Sequence, residues 1–196
     1  MLETNIWGVV TSRTLRTRAR ILDAALDLFE RQGYDGTTVN QIADAAGVTP
    51  MTFFRHFSTK DAVLVTDPYD PLIAEAVVAQ PAELPALERT RRGLLAALGD
   101  ITPAEDATAR RRVALVARSP SLRAAMAVGT DTTQQAIVER LTDDGVEPLD
   151  AAVAASACLA AITAALLAWG AAPADVTLAH LVRRALAQLA PVGATP

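Results

Sequence analysis

Apolar residues recur every three or four positions near the start of the chain, which is the spacing of one face of an α-helix. The pattern predicts a first helix that begins at about Thr14 or Thr17 and ends at Gln32. Gly33 follows it as a C-terminal stop, because glycine adopts the left-handed conformation that ends many helices. The inward face of this helix is expected to comprise Ile21, Ala25, Leu28 and Phe29.

Two shorter helices are predicted within residues 38–57. The first begins at a capping box, Thr38-Val39-Asn40-Gln41, in which the threonine hydroxyl and the glutamine side chain each satisfy a backbone amide. It runs to Ala46. The second opens at Thr49-Pro50, with threonine as the N-cap and proline in the first turn, and ends near Phe57.

The turn between these short helices, Gly47-Val48, suits a helix-turn-helix, the motif whose second helix enters the major groove of DNA. The alternative is an ordinary pair of packed helices, since such patterns arise by chance in alanine-rich helical proteins. We expect inward side chains at Ile42, Ala43, Val48 and Phe53. Outward positions are expected at Thr49, Pro50, Met51, Thr52, Phe54 and His56.

Helical patterns with proline and glycine punctuation continue to the end, so the predicted fold class is all-α, with nine or ten helices. An N-terminal three-helix unit precedes a larger C-terminal helical bundle. Ser58–Asp61 caps a fourth helix, which Pro68 and Pro71 interrupt. The remaining helices are predicted at 70–79, 84–101, 103–118, 121–143, 148–172 and 175–190.

Composition narrows the class of protein without deciding its function. Half of the residues are apolar, so a sizeable core is possible, and the single cysteine, Cys158, forms no intramolecular disulfide. We interpret Cys158 as a small apolar residue on a helix rather than as a reactive thiol. A net charge of −4 argues against nucleic acid as a partner. Four arginines nevertheless lie between Arg13 and Arg20 without an intervening acid.

A charge-free stretch, Ala151–Ala174, is long enough to span a bilayer. It is mostly alanine, which contributes little to membrane insertion, and no aromatic belt frames it. We therefore expect a helix buried in a protein core or interface. The competing hypothesis, a small membrane-associated or interaction protein, makes solubility without detergent the discriminating observation.

Motifs for catalysis and metal binding are missing from the sequence. No HExxH, CxxC, GxGxxG or P-loop pattern occurs, and the two histidines, His56 and His180, are far apart. We expect no enzymatic activity, no cofactor and no metal.

Residues 18–64, about a quarter of the chain, closely resemble the DNA-binding domain of the TetR family of transcription regulators. The second half of the match falls on the predicted helix-turn-helix. The matching positions are Ile21-Leu22-Asp23-Ala24-Ala25, Leu28-Phe29, Gly33-Tyr34, Thr37-Thr38-Val39, Ile42-Ala43, Ala46-Gly47-Val48, Phe54, His56-Phe57 and Lys60.

The resemblance implies a role for each residue of the motif. Phosphate contacts are expected at Thr38 and Asn40, and further backbone contacts at His56 and Lys60. At the start of the third helix, Pro50, Met51 and Thr52 would meet base edges, and Thr49 is a further expected DNA contact. Phe54 stands where most relatives carry tyrosine and has no hydroxyl to donate to a phosphate. The longer, positively charged side chain of Arg55, next to it, is expected to make that phosphate contact instead. The arm Arg13–Arg20 would lie along phosphates or a minor groove, or else form a solvated helix start.

The rest of the resemblance concerns organisation and regulation. It implies a flexible tail over 1–12, a DNA-binding domain over 13–66, and an effector-binding and dimerisation domain over 67–196. A homodimer would form through helices 148–172 and 175–190. Such a cytoplasmic repressor leaves an inverted-repeat operator when a small molecule binds. Arg110–Met126 resembles a TetR subgroup with acyl-CoA-like effectors, and Arg110–Arg112 either holds an anionic head group or forms a solvated face.

Overall fold

The computed structural model describes residues 13–65, 70–97, 103–172 and 176–190. These residues form ten helices and no strand, which confirms the predicted all-α class. The chain divides into two compact units, Met1–Leu64 and Val65–Pro196. The expected tail over residues 1–12 and the expected break at Pro68 lie outside the described residues.

The helix bounds follow the predicted pattern closely. The N-terminal unit contains α1 (Arg13–Gln32), α2 (Val39–Ala45), α3 (Pro50–His56) and most of α4 (Ala62–Val65). The second unit contains α5 (Asp70–Val78), α6 (Ala86–Ala97), α7 (Pro103–Arg118), α8 (Pro120–Asp143), α9 (Pro148–Gly170) and α10 (Leu178–Ala187).

Side-chain caps set where several helices begin. The capping box is present at Thr38, and the Thr49 hydroxyl caps α3 ahead of Pro50, as expected. Ser119 caps α8 in the same way, so this helix begins at Pro120 and not at residue 121. Thr177 caps α10, which therefore begins three residues later than predicted.

The core of the N-terminal unit comes from the inward faces of α1, α2 and α3. Ile42, Ala43 and Phe53 are buried as expected, whereas Val48 is only half-buried. The expected inward residues of α1 are all buried, and Leu26 joins them. This burial of apolar surface stabilises the three helices against one another.

The larger unit is built around α9, which packs against α6, α7, α8 and α10. Its buried side includes Cys158, Leu159 and Trp169. Among the described helices, α9 is the one that is long and apolar enough to cross a membrane. One side of it is packed into the bundle, as predicted for a core helix. On its opposite side Leu149 is 69% exposed and Val153 is 56% exposed.

An arginine of α7 holds the connection between α9 and α10. The Arg110 guanidinium donates to the carbonyl oxygens of Ala172 (2.9 Å) and Val176 and lies 4.8 Å from the Trp169 ring centroid. Trp169 Nε1 also donates to Val176 O, at 2.8 Å. Arg110 therefore holds the backbone between α9 and α10, a role that the sequence did not indicate. Arg111 and Arg112 are half-buried.

A second arginine, Arg89 on α6, is buried although nothing in the sequence pattern marks it. It is 1% exposed, donates from Nη2 to Val78 O at 3.0 Å, and pairs with Asp144. It thereby links the end of α5 to the end of α8. A buried guanidinium is tolerated only with such partners, because an unpaired buried charge is very costly.

Gly93 on α6 tests how closely α5 and α6 approach, and Gly129 on α8 is the control. A Cβ at Gly93 on α6 would lie 2.4 Å from Val77 Cα, whereas a Cβ at Gly129 on α8 would meet Val65 O at 3.6 Å, an ordinary contact. We expect Gly93→Ala to destabilise the protein by about 1–3 kcal/mol through overpacking. Gly129→Ala should instead stabilise it by up to about 1 kcal/mol, because alanine is the better helix former. Urea denaturation of both variants measures the difference. An unchanged or raised midpoint for Gly93→Ala would contradict the close approach of α5 and α6.

Candidate DNA-binding surface

The outer face of α3 presents large apolar side chains to solvent. Met51 is 79% exposed and Phe54 is 52% exposed. Directly beneath, Phe53 is fully buried and meets the Phe54 ring edge-on, with centroids 5.5 Å apart. The outward and inward sides of the helix are therefore arranged as the sequence predicts, and Met51 is the most exposed of these side chains.

The first turn of α3 is held by two threonine hydroxyls. Thr49 Oγ1 accepts a hydrogen bond from Thr52 N at 3.1 Å and shares another, also 3.1 Å, with Thr52 Oγ1. Thr52 is half-buried, while Thr49 and Pro50 are exposed. A base contact by the Thr52 hydroxyl would have to share its bonding capacity with this cap.

Two arginines of α1 bind backbone carbonyls, one at the end of α3 and one in the turn between α2 and α3. Arg18 Nη1 donates to His56 O at 2.7 Å, and its guanidinium lies 4.1 Å from the Phe57 ring centroid. Arg20 Nη2 donates to Ala46 O and, at 3.4 Å, to Gly47 O, in the turn before α3. The four arginines of the expected arm therefore belong to α1, and two of them bind α3 or the turn before it.

The start of α2 carries the two expected phosphate contacts, Thr38 and Asn40, and both are exposed. Thr38 Oγ1 accepts from Gln41 N at 3.2 Å, while Thr38 N donates to Gln41 Oε1 at 2.9 Å. Gln32 at the end of α1 donates to the same Gln41 oxygen at 3.2 Å. The threonine hydroxyl is thus fixed in place at the first turn of the helix.

Lys60 has a structural role that the sequence did not indicate. Its ammonium donates to Tyr34 O at 2.8 Å and Thr37 O at 2.9 Å, and lies 4.0 Å from the Tyr34 ring centroid. The Tyr34 hydroxyl donates to Asp61. These contacts tie the turn between α1 and α2 to the segment after α3. An ammonium has three donors, so a phosphate contact by Lys60 stays a prediction beside this positioning role.

The end of α3 combines two basic side chains of different character. His56 is half-buried, and burial followed by the nearby charges of Arg55 and Arg18 lowers its pKa from the usual 6.5. The neutral imidazole therefore predominates at neutral pH, so His56 contributes a hydrogen-bonding group there more than a charge. Arg55 is exposed and carries the charge at this end.

All ten expected contact residues lie in the N-terminal unit, and none is buried: Thr38, Asn40, Thr49, Pro50, Met51, Phe54 and Arg55 are exposed, and Thr52, His56 and Lys60 are half-buried. Within the described residues, no group of His, Cys, Asp or Glu is arranged to hold a metal ion. The described residues form a helix-turn-helix in which the outer face of the second helix is exposed to solvent.

Individual relatives match parts of the sequence. The chain is 36% identical over 124 residues to the HTH-type transcriptional regulator TcmR of Streptomyces glaucescens, an alignment that covers 60% of this chain and 55% of TcmR. The chain thus spans about half the length of this relative. It is also 50% identical over 44 residues to the regulator AcrR of Shigella flexneri, covering 22% of this chain and 20% of AcrR.

Solved structures match over most of the chain and share its fold. SmeT, the repressor of the Stenotrophomonas maltophilia efflux pump SmeDEF, aligns with a TM-score of 0.54 at 23% identity, covering 87% of this chain and 88% of SmeT. Thermus thermophilus FadR, a TetR-family repressor in complex with lauroyl-CoA, aligns with a TM-score of 0.50 at 23% identity, covering 91% and 98%.

Family models describe both units of the chain. Residues 21–65 match the N-terminal domain of the bacterial regulatory proteins of the tetR family. Residues 84–193, more than half of the chain, match the MftR C-terminal domain, another domain of TetR-type regulators. The two matches follow each other in the order of the two structural units, and the chain therefore belongs to the TetR family of transcriptional regulators.

Proposed function

We propose that this protein is a homodimeric transcriptional repressor of the cytoplasm that binds an inverted-repeat DNA operator through α3 and leaves it when a small molecule binds the C-terminal unit. The observation that carries this proposal is the exposed outer face of α3, with Met51 and Phe54 on a helix whose last residue is bound by Arg18 and whose preceding turn is bound by Arg20. Exposed apolar groups on a rigid helix suit contact with thymine methyl groups in the major groove.

The remaining contacts divide into base readers and backbone contacts. Pro50, Met51 and Thr52 stand at the first turn of α3, the end that meets base edges in helix-turn-helix proteins. Phosphate contacts are assigned to Thr38 and Asn40 on α2 and, around the end of α3, to Arg55, His56 and Lys60. Such contacts fix the register of the protein on DNA without reading its sequence.

The dimer is assigned to α9 and α10. The side of α9 that faces away from the bundle carries Leu149, Val153, Ala160 and Ala164, all exposed in the single chain. A helix that carries no charge after Asp150 and has an exposed apolar side is typical of a subunit interface. Binding to an inverted-repeat operator requires the α3 helices of the two chains to match the spacing of successive major grooves, about 34–36 Å.

The effector is assigned to the C-terminal unit and, by the resemblance of residues 110–126 and the lauroyl-CoA bound in Thermus thermophilus FadR, to acyl-CoA-like molecules. A ligand that binds one conformation of this unit better than another shifts the population between them. If the conformation that the ligand prefers holds the two α3 helices at the wrong spacing, binding of the ligand lowers the affinity for the operator, and binding of the operator lowers the affinity for the ligand by the same factor.

Substitutions on α3 test where sequence specificity resides. We expect Met51→Ala and Thr52→Ala to relax base preference at one or two positions per half-site, at roughly 1–3 kcal/mol for each lost contact. Met51→Ala should leave stability within about 0.5 kcal/mol, because the side chain is exposed. Selection of bound sites from random DNA, run beside melting curves, measures both effects.

Phe54→Tyr is the complementary variant, because it supplies the hydroxyl that the family resemblance places against a phosphate. It should tighten binding to every sequence without changing the preferred one.

Retention of the wild-type consensus by both Met51→Ala and Thr52→Ala would show that α3 does not read bases.

Charge placed on the exposed side of α9 tests the dimer. Ala160→Arg or Ala164→Arg should shift the protein to monomers, because an unpaired charge in a close-packed interface costs several kcal/mol. Ala127→Arg, at an exposed position of α8, is the matched control and should stay dimeric. Analytical ultracentrifugation at micromolar concentration distinguishes the two states. A wild-type protein that sediments as a stable monomer would overturn the assignment.

A further inference from the structure

Two shallow grooves of opposite character lie on either side of Arg20 in the N-terminal unit. One carries three hydroxyls and two guanidinium groups, those of Thr17, Arg20, Thr49, Thr52 and Arg55, beside Gly47 and Val48. The other carries Arg20 and the three carboxylates of Asp23, Asp27 and Asp44, beside Gly47 and three alanines. We refer to them as the basic groove and the acidic groove. The basic groove runs between α1 and the exposed side of α3.

The position of Arg20 between the grooves is built into the turn before α3. Gly47 has a positive φ of 62°, and a Cβ at this residue would lie 2.8 Å from Arg20 Nη2. The positive φ favours glycine here, and any larger residue would also displace the end of the Arg20 side chain. Both hydrogen bonds to the turn leave from Nη2. A guanidinium has further N–H donors on Nε and Nη1, so Arg20 retains donors for another acceptor.

The chemistry of the basic groove matches a phosphodiester. Guanidinium groups bind phosphate oxygens through charge-assisted hydrogen bonds, and threonine hydroxyls are common additional donors. Three carboxylates on the other side of Arg20 repel phosphate at short range. The charge is positive on one side of Arg20 and negative on the other, which favours a single placement of the DNA backbone along this edge of α3.

We propose that the basic groove holds one backbone phosphate of each operator half-site, with Arg20 and Arg55 supplying the charge and the acidic groove excluding the neighbouring phosphate. This proposal rests on the proposed function and adds α1 to the DNA contacts. It also gives Arg20 two roles, since the side chain that holds the turn before α3 binds the phosphate beside it. Thr49 and Thr52 then serve the cap of α3 and the phosphate together.

A scan with neutral phosphates tests the placement directly. In the duplex selected from random DNA, each phosphate of one half-site is replaced in turn by a methylphosphonate, and the affinity is measured. The wild-type protein should lose about tenfold at the phosphate in the basic groove, as expected for a charged hydrogen bond. Arg20→Gln and Arg55→Gln should each bind more weakly and should each lose their sensitivity to that same phosphate.

Arg31→Gln is the control, because it removes the same charge from an exposed position in the last turn of α1. It should keep the wild-type pattern at every phosphate. Variants that remain as sensitive as the wild type, or that respond at two different phosphates, would overturn the proposal. Should Arg20→Gln unfold on melting, Arg55→Gln alone decides, because that side chain is exposed. A wild-type protein that selects no duplex would instead refute the proposed function itself.

Discussion

The recognition helix is seven residues long, and a helix of that length is not stable in water by itself. Its conformation therefore depends on tertiary contacts. Phe53 and Phe57 are buried on its inner side, with ring centroids 5.8 Å apart, and Arg18 stacks on the Phe57 ring. The orientation of every outward side chain on α3 follows from this packing, and so does any specificity that those side chains confer.

Cations bound to backbone carbonyls complete the support. Arg18, Arg20 and Lys60 all donate to carbonyl oxygens that helix ends or turns leave without a partner within the helix. These three cations of a negatively charged protein thus stabilise its internal structure. The charge that remains on the exposed side, such as that of Arg55, matters more for DNA than the net charge of the chain.

The sequence predicted local features well and long-range ones poorly. Capping at Thr38 and Thr49, the buried side of α1 and the exposure of Met51 follow from periodicity and from residue types that are close in sequence. The partners of Arg20 and Lys60 lie more than twenty residues away, and their acceptors are backbone oxygens, which every residue possesses. No pattern marks such acceptors. The same reason explains why the burial of Arg89 against Val78 O and Asp144 was not foreseen.

Cys158 gives the chain an internal reporter of its own motions. It is the only cysteine, it is completely buried on α9, and burial raises the pKa of its thiol to about 11. A thiol reagent reacts with the thiolate, so labelling requires both exposure and deprotonation. The rate of modification therefore measures how often the bundle around α9 opens. An effector or a second subunit that closes this region would slow the labelling, without any probe having been introduced.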